Sequence, residues 1–469
     1  MRIYEINTRL HGHTFDDVTD SELVKLAGLG FDSVWLMGVW QVSAGARRIS
    51  KLVSDDFEGS PYAVPIYKFN RELGGKRGFQ SLVERAHKLG LAVIVDFVSN
   101  HMALDSPWIK KHPEFFVRSD TRVRKQSTSD YFLHKSGEVI AFGRDPYFPP
   151  WHDTAQLDYT NEALRTQMID ELKWISRFAD GVRCDMAMLV LRDYVRQQWY
   201  PLASDEVFNA RMPEEFWDAA VTAVKAEKPD FKFIAEAYWD KEQKLRELGF
   251  DLTYEKKLYD SLVARDAGRA AERLSLDLQS LRASLYFIEN HDEPRAASVF
   301  STAVNLASAA LILALPGSVL VHEGQMEGKR EKLPVQRVKP LINEPPDEQL
   351  ETAYEQLLQV TSHPVFQDGD FETFNAEAFG VIAFIRRDSK RVVAYIGQIA
   401  DAWHRFDSVL LNVSAIARAA GARQQVRLTN LLGLRSTVVN AVGGGFRVQL
   451  NQLGIDEHTR FCLLEASSA

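Results

Sequence analysis

Short uninterrupted apolar runs alternate along this chain with stretches whose apolar residues recur at helical spacing, the pattern of repeated strand-then-helix units. Phe79, Leu82, Val83, Ala86 and Leu89 share one helical face, Gly90 follows as a stop, and Leu91 to Val95 is an apolar strand ending at Asp96. The grammar recurs further on. Thr160 is placed to cap a helix with the face Leu164, Met168, Leu172 and Ile175, which leads into a strand ending at Arg183 and Asp185. Other strands are predicted at Ile3 to Leu10, Ser33 to Met37, Lys232 to Glu236, about Phe250 to Tyr254, Ser284 to His291 and Ser318 to His322. With the two already named, these strands make a full round of a parallel (β/α)8 TIM barrel, whose C-terminal strand ends carry the chemistry.

Two stretches break the alternation. Between His101 and the helix starting near Asn161 lies a long irregular segment rich in Pro, Asp and aromatic residues, expected to be a domain inserted after strand three over the barrel mouth. From about Phe371 onward, strands follow one another without helices, at Gly380 to Arg386, Arg391 to Gly397, Gln424 to Leu431 and Phe446 to Leu450. A C-terminal antiparallel β-sandwich fits these, with Gly443, Gly444 and Gly445 as a hairpin turn and not a phosphate loop, since no helix follows. The expected division is therefore a barrel over residues 1–101 and 158–368, an insert over 102–157 and a terminal domain over 369–469.

Composition narrows the partners. The 469 residues carry 56 basic and 64 acidic side chains, a net charge of -8 spread along the chain, which argues against nucleic acid and anionic membrane. The longest apolar stretch, Thr302 to Leu315, is too short for a bilayer and stops at Pro316 and Gly317, so it reads as a buried helix. The first residues, MRIYEINTRL, enter a strand pattern without a secretory signal, which makes the cytoplasm the default compartment. Cys184 and Cys462 each sit in an apolar strand, and no disulfide framework is implied. Oligomeric state is not legible.

Four segments join an apolar strand to a polar tip: DFVSNH (Asp96 to His101), GVRCD (Gly181 to Asp185), FIAEA (Phe233 to Ala237) and FIENHD (Phe287 to Asp292). Asp185 lies two residues beyond Arg183, on the same strand face, where the guanidinium is expected to hold it ionised as a nucleophile. Glu236, among Phe233, Ile234 and Ala235, is expected to have a raised pKa and to act as acid and base. Such a pair suits glycosidic cleavage. His101 and His291 can donate to sugar hydroxyls, and Asp292 can hold two of them. Glu289 shares a strand face with His291 and rivals Asp292, but reads sooner as a buried supporting group. Arg295 either binds substrate or pairs with Glu293 or another nearby carboxylate, and Trp40, Trp108 and Trp151 read as core aromatics sooner than sugar platforms.

In order and spacing, the four segments resemble the conserved regions of the α-amylase family, glycoside hydrolase family 13. The resemblance implies Asp185 as nucleophile, Glu236 as acid/base and Asp292 as transition-state stabiliser, with Arg183, His101 and His291 binding sugar and Asp96 beside the arginine. The stretch GSPYAVPIYKFNRELG resembles the family segment that supplies a stacking tyrosine, here Tyr62. His322 and Glu323 resemble a final region with a structural role. The implied fold is a barrel with an inserted domain B and a C-terminal β-domain, in agreement with the pattern above.

The resemblance lapses at Met188 and Leu189, where many family members have a Lys-His pair on the acceptor side. No cofactor is required, although AQLDY (Ala155 to Tyr159) resembles a domain B motif in which Asn100 and Asp158 would help hold Ca2+; two oxygens fall far short of a full shell. The expected function is a retaining hydrolase of α-1,4-glucan or maltooligosaccharide. A transglycosylase or disaccharide phosphorylase of the same family is the alternative, and a non-catalytic binding subunit a remote one.

Overall fold

The computed structural model describes residues 1–339, 342–400, 409–433 and 435–469. Eight parallel strands close into a barrel: β1 (Arg2–Asn7), β2 (Ser33–Met37), β3 (Ala92–Val98), β4 (Gly181–Asp185), β5 (Lys232–Ala235), β6 (Leu252–Tyr254), β7 (Ser284–Tyr286) and β8 (Ser318–His322). They neighbour one another in chain order, and β8 pairs with β1 from Arg2↔Val319 to Glu5↔His322.

Strand alternation builds the interior in layers. Ile3, Ile94, Ile234, Leu252, Leu285 and Leu320 pack together inside the barrel. Two residues further along five of those strands come Glu5, Asp96, Glu236, Tyr254 and His322. An apolar floor thus carries a polar storey. The intervening residues, among them Val93, Val95, Val182, Cys184, Phe233, Val319 and Val321, face outward into the cluster shared with the helices.

Some predicted limits move. β1 ends at Asn7 instead of Leu10, because Thr8–His11 turns into a short helix capped by the Asn7 side chain. The ladder of β7 stops at Tyr286, short of His291. Beyond it the chain rises to the mouth without pairing, and the Asn290 side chain accepts the Asp292 and Glu293 N–H groups at 2.9 Å each. Asn161, not Thr160, caps the helix Glu162–Ser176 by accepting from the Leu164 N–H, while Thr160 donates to Asp158.

The segment after β3 is more regular than expected. His101–Ala103 pairs antiparallel with Thr154–Gln156, and Arg118–Ser119, Val139–Ala141 and Tyr131–Leu133 form a small sheet. At the C-terminus an eight-stranded antiparallel sheet curls around its own core, and a short helix, Ser414–Ala419, interrupts the predicted run of strands. Gly443 and Gly444, at φ 61° and 82°, make the tight turn between Ser436–Val442 and Gly445–Gln449, a conformation that favours glycine. Alternate residues of this sheet point two ways. Phe384, Val393, Tyr395, Phe461 and Leu463 join the barrel cluster, whereas Ile385, Ala394, Ile396, Cys462 and Leu464 fill the domain's own core. The helix Thr302–Ala314 lies buried where the two domains meet, and the Tyr395 hydroxyl donates to the Ala307 carbonyl at 2.9 Å.

Candidate active site

A cavity of about 1020 Å3 opens at the C-terminal end of the barrel, lined by Tyr62, His101, Trp151, Asp185, Glu236 and Asp292 among others. Its floor is organised by Arg183. The guanidinium is buried at 1% exposure, with its carbon 5.3 Å from the ring centres of Trp35 and Tyr62 and 5.7 Å from that of Tyr254. Nε donates to the Tyr254 hydroxyl at 3.2 Å and Nη1 to Asp185 Oδ1 at 2.8 Å. Nη2 lies 2.8 Å from Glu236 Oε2, an ion pair whose direction does not make a hydrogen bond. Asp96 Oδ1 stands 3.7 Å from Nη1, and Asp292 Oδ2 3.9 Å from Nη2. One cation therefore gathers four carboxylates.

Glu236 is fixed by donors from both sides. The Met186 N–H reaches Oε2 at 2.6 Å and the Tyr238 hydroxyl reaches Oε1 at 2.9 Å. Met186 has φ 43°, which a side chain of its size rarely adopts, and that turn directs its N–H toward Glu236. The apolar surroundings expected of Glu236 are thus replaced by a polar cradle. Asp185 also departs from expectation. Burial and the Glu236 charge push its carboxyl up to about 7 against the pull of Arg183, so the guanidinium alone does not hold it in the ordinary ionised range.

The two histidines differ in character. Burial pushes His101 down to about 4, which leaves it neutral near pH 7, with its ring 5.0 Å from that of Trp151. His291 is held well above its ordinary value: burial opposes the charge, and Asp292 and Glu5 overcome it. Its Nε2 lies 2.7 Å from the Tyr62 hydroxyl and 2.9 Å from Asp292 Oδ2, and its ring stacks on Tyr62 at 5.5 Å. Asp292 keeps 43% of its side chain exposed to the cavity.

All seven site residues proposed from the sequence, Tyr62, His101, Arg183, Asp185, Glu236, His291 and Asp292, lie at this one mouth. Glu289 stands apart: Arg295 Nη1 donates to its Oε1 at 2.6 Å and His322 Nδ1 lies 3.2 Å away, a buried cluster below the cavity wall. Of the two readings of Arg295, it is the pairing with a nearby carboxylate that the structure shows, the partner being Glu289. Trp40 is core, its indole N–H donating to the Asp96 carbonyl, and Trp108 is buried, whereas Trp151 lines the cavity. Met188 and Leu189 are buried in the turn after β4 and do not line the cavity; Met186, Tyr238 and Trp239 do. Glu5, Trp35 and Tyr254 were legible only as inward positions of their strands, and Tyr238 and Met186 only as neighbours of a motif.

The oxygens suggested for Ca2+ fit the ion poorly. Asp158 Oδ1 accepts from the Thr160 N–H and hydroxyl, its Oδ2 accepts from Tyr200 at 2.6 Å, and the Arg211 guanidinium stands 3.5 Å from Oδ2. Asn100 Oδ1 accepts from Gln156 at 2.9 Å. The Arg211 guanidinium thus pairs with the carboxylate that the ion would need, and no group of three or more His, Cys, Asp or Glu side chains able to hold a metal ion exists among the described residues.

A closed barrel with an inserted domain, a C-terminal β-domain and carboxylates converging at the C-terminal strand ends is the layout of a barrel enzyme. This chain belongs to the α-amylase family: the family's description "Alpha amylase, catalytic domain" matches residues 17–359. The α-amylase MalA of Haloarcula japonica is 25% identical over 344 residues, 70% of this chain and 44% of that protein. An α-1,4-glucan:maltose-1-phosphate maltosyltransferase of Cereibacter sphaeroides is 28% identical over 236 residues, 49% of this chain and 33% of its own length. The chain spans 30% to 60% of the length of these and similar curated relatives. The crystal structure of the maltogenic α-amylase AmyB of Thermotoga neapolitana superposes with a TM-score of 0.74 at 22% identity, covering 99% of this chain and 98% of that one.

Proposed function

We propose that the chain cleaves α-glucosidic bonds with retention, most simply by hydrolysing α-1,4-glucan or maltooligosaccharide. The observation that carries this reading is the single guanidinium whose Nη1 and Nη2 each stand 2.8 Å from one of two carboxyls, Asp185 and Glu236. Two carboxyls on one cation suit the separation of about 5 to 5.5 Å that retaining pairs use. Asp185 attacks the anomeric carbon while Glu236 protonates the leaving oxygen; Glu236 then takes a proton from the water that releases the glycosyl enzyme.

The pair needs one proton. With that proton on Glu236, the negative charge that lifts Asp185 is gone, and Asp185 ionises beside Arg183. Asp292, open to the cavity and held below the ordinary carboxylate range by His291 in spite of burial, stays charged to bind hydroxyls and the developing oxocarbenium ion. Neutral His101 and the Tyr62 ring complete the sugar subsite. Transfer to a sugar or phosphate differs only in what reaches the second step.

Asp185→Asn and Glu236→Gln are each expected to lower kcat by several orders of magnitude without altering the fold, with near wild-type turnover in either overturning the scheme. Products from maltooligosaccharides, sucrose and trehalose, with and without phosphate, identify the acceptor. Longer oligomers or sugar phosphates in place of shortened glucans would reject hydrolysis.

A further inference from the structure

Glu5 belongs to none of the four segments, yet it touches the site. It is fully buried on β1, and its Oε1 lies 2.5 Å from His291 Nδ1. The opposite ring nitrogen faces Asp292 Oδ2 at 2.9 Å and the Tyr62 hydroxyl at 2.7 Å. A neutral imidazole has one N–H and one lone pair, whereas the cation has two N–H groups. Between two ionised carboxylates, a neutral ring would press its lone pair against one of them, and the ring and Glu5 are themselves buried, at 5% and 0% exposure. Only the cation carries an N–H on both sides, one for Glu5 and one for the Tyr62 oxygen, while its charge faces Asp292.

We propose that Glu5 is a positioning residue which keeps His291 an imidazolium, so that the sugar subsite carries a second fixed positive charge besides Arg183. The proposal rests on the catalytic reading above and extends it. With Nε2–H donating, the Tyr62 oxygen accepts, and the tyrosine's own proton is free for another acceptor, such as a bound hydroxyl. Asp292 is meanwhile aimed by a cation behind it.

The charged groups around this ring come from several elements. They are Glu5 on β1, Tyr62 after β2, Asp96 on β3, Arg183 on β4 and Asp292 after β7, with His322 on β8 near Glu5. Glu5 is itself held below the ordinary carboxylate range, burial being outweighed mainly by His291 and His322. Its second oxygen, Oε2, has no hydrogen-bond partner among the described residues. His291 is therefore the group that bonds to Glu5 directly, and each depends on the other for its charge.

Glu5→Gln preserves size and a carbonyl that accepts from Nδ1–H, but removes the charge. In enzyme with isotope-labelled histidine, with His291→Gln used to assign the resonance, wild-type His291 is expected to stay doubly protonated to pH 9. In Glu5→Gln it should titrate at least about one pH unit lower, and kcat/KM should fall about tenfold per pH unit above that midpoint. KM should rise with pH more than kcat falls, since the cation's first task is binding. A singly protonated wild-type ring at pH 8 overturns the proposal, as does a variant profile merely lowered in parallel at every pH. Should Glu5→Gln fail to fold, the wild-type titration decides, and Glu5→Asp, which restores a carboxylate, should restore the high midpoint. The same titration in Asp185→Asn separates the two readings, because His291 protonation is read there without turnover.

Discussion

At the scale of single residues, the cost of this site is concentrated in Asp96. It is buried on β3 with no hydrogen bond to either side-chain oxygen among the described residues, and burial lifts it to about 7 although Arg183 pulls the other way. A carboxyl that binds its proton more tightly folded than unfolded contributes stability below its ordinary value, 3.8, and that contribution is lost as pH rises through about 7. Asp96→Asn, whose amide resembles the protonated acid, is therefore expected to raise the melting temperature relative to wild type more at pH 8 than at pH 4.5. A buried polar group without a hydrogen bond costs about 1–3 kcal/mol, which sets the scale of the gain. Calorimetry at the two pH values checks this, and a difference independent of pH would count against it.

At the scale of elements, periodicity located the barrel strands because each needed a dry outer face against helices. Ser33–Met37 and Ser318–His322 begin and end where their apolar runs do. Boundaries slipped where a side chain, and not a pattern, decides the geometry. Asn161 is the cap because its side chain accepts from the Leu164 N–H, while the Thr160 side chain is turned away to Asp158. Asn161→Ala is accordingly expected to cost about 1 kcal/mol, seen as a lowered melting temperature, and Asn161→Ser to recover most of it. An unchanged melting temperature in the alanine variant would place the stop signal elsewhere. The tips of the four segments were legible only as a set, because one polar group ending an apolar strand is more often a loop residue or a helix cap than a catalyst. Their protonation was not: that of Asp185 depends on its burial and on Glu236, and that of His291 on Asp292 and Glu5, groups from strands far apart in sequence.

Across the whole molecule, the C-terminal sheet is more than an appendage. Phe384, Tyr395, Phe461 and Leu463 enter the barrel's own cluster, and Arg386 Nη1 donates to the Ala314 carbonyl at 3.0 Å at the end of the buried helix. Removing residues 369–469 would bare the face of that helix, so a chain ending at 368 is expected to be poorly soluble and to bind a hydrophobic dye strongly. A soluble truncation with wild-type melting and no dye binding would show that the barrel stands alone. The layered barrel, for its part, bears on how such a protein can change. Polar groups reach the mouth because each strand spends two residues climbing from floor to storey, so one residue added to or deleted from a strand would swing its acid or base into the surrounding helices. Apart from the residues they lend to the site, such as Tyr62, Met186, Tyr238 and Asp292, the loops above have no such constraint, and inheritance can lengthen or rewrite them while every strand keeps its count.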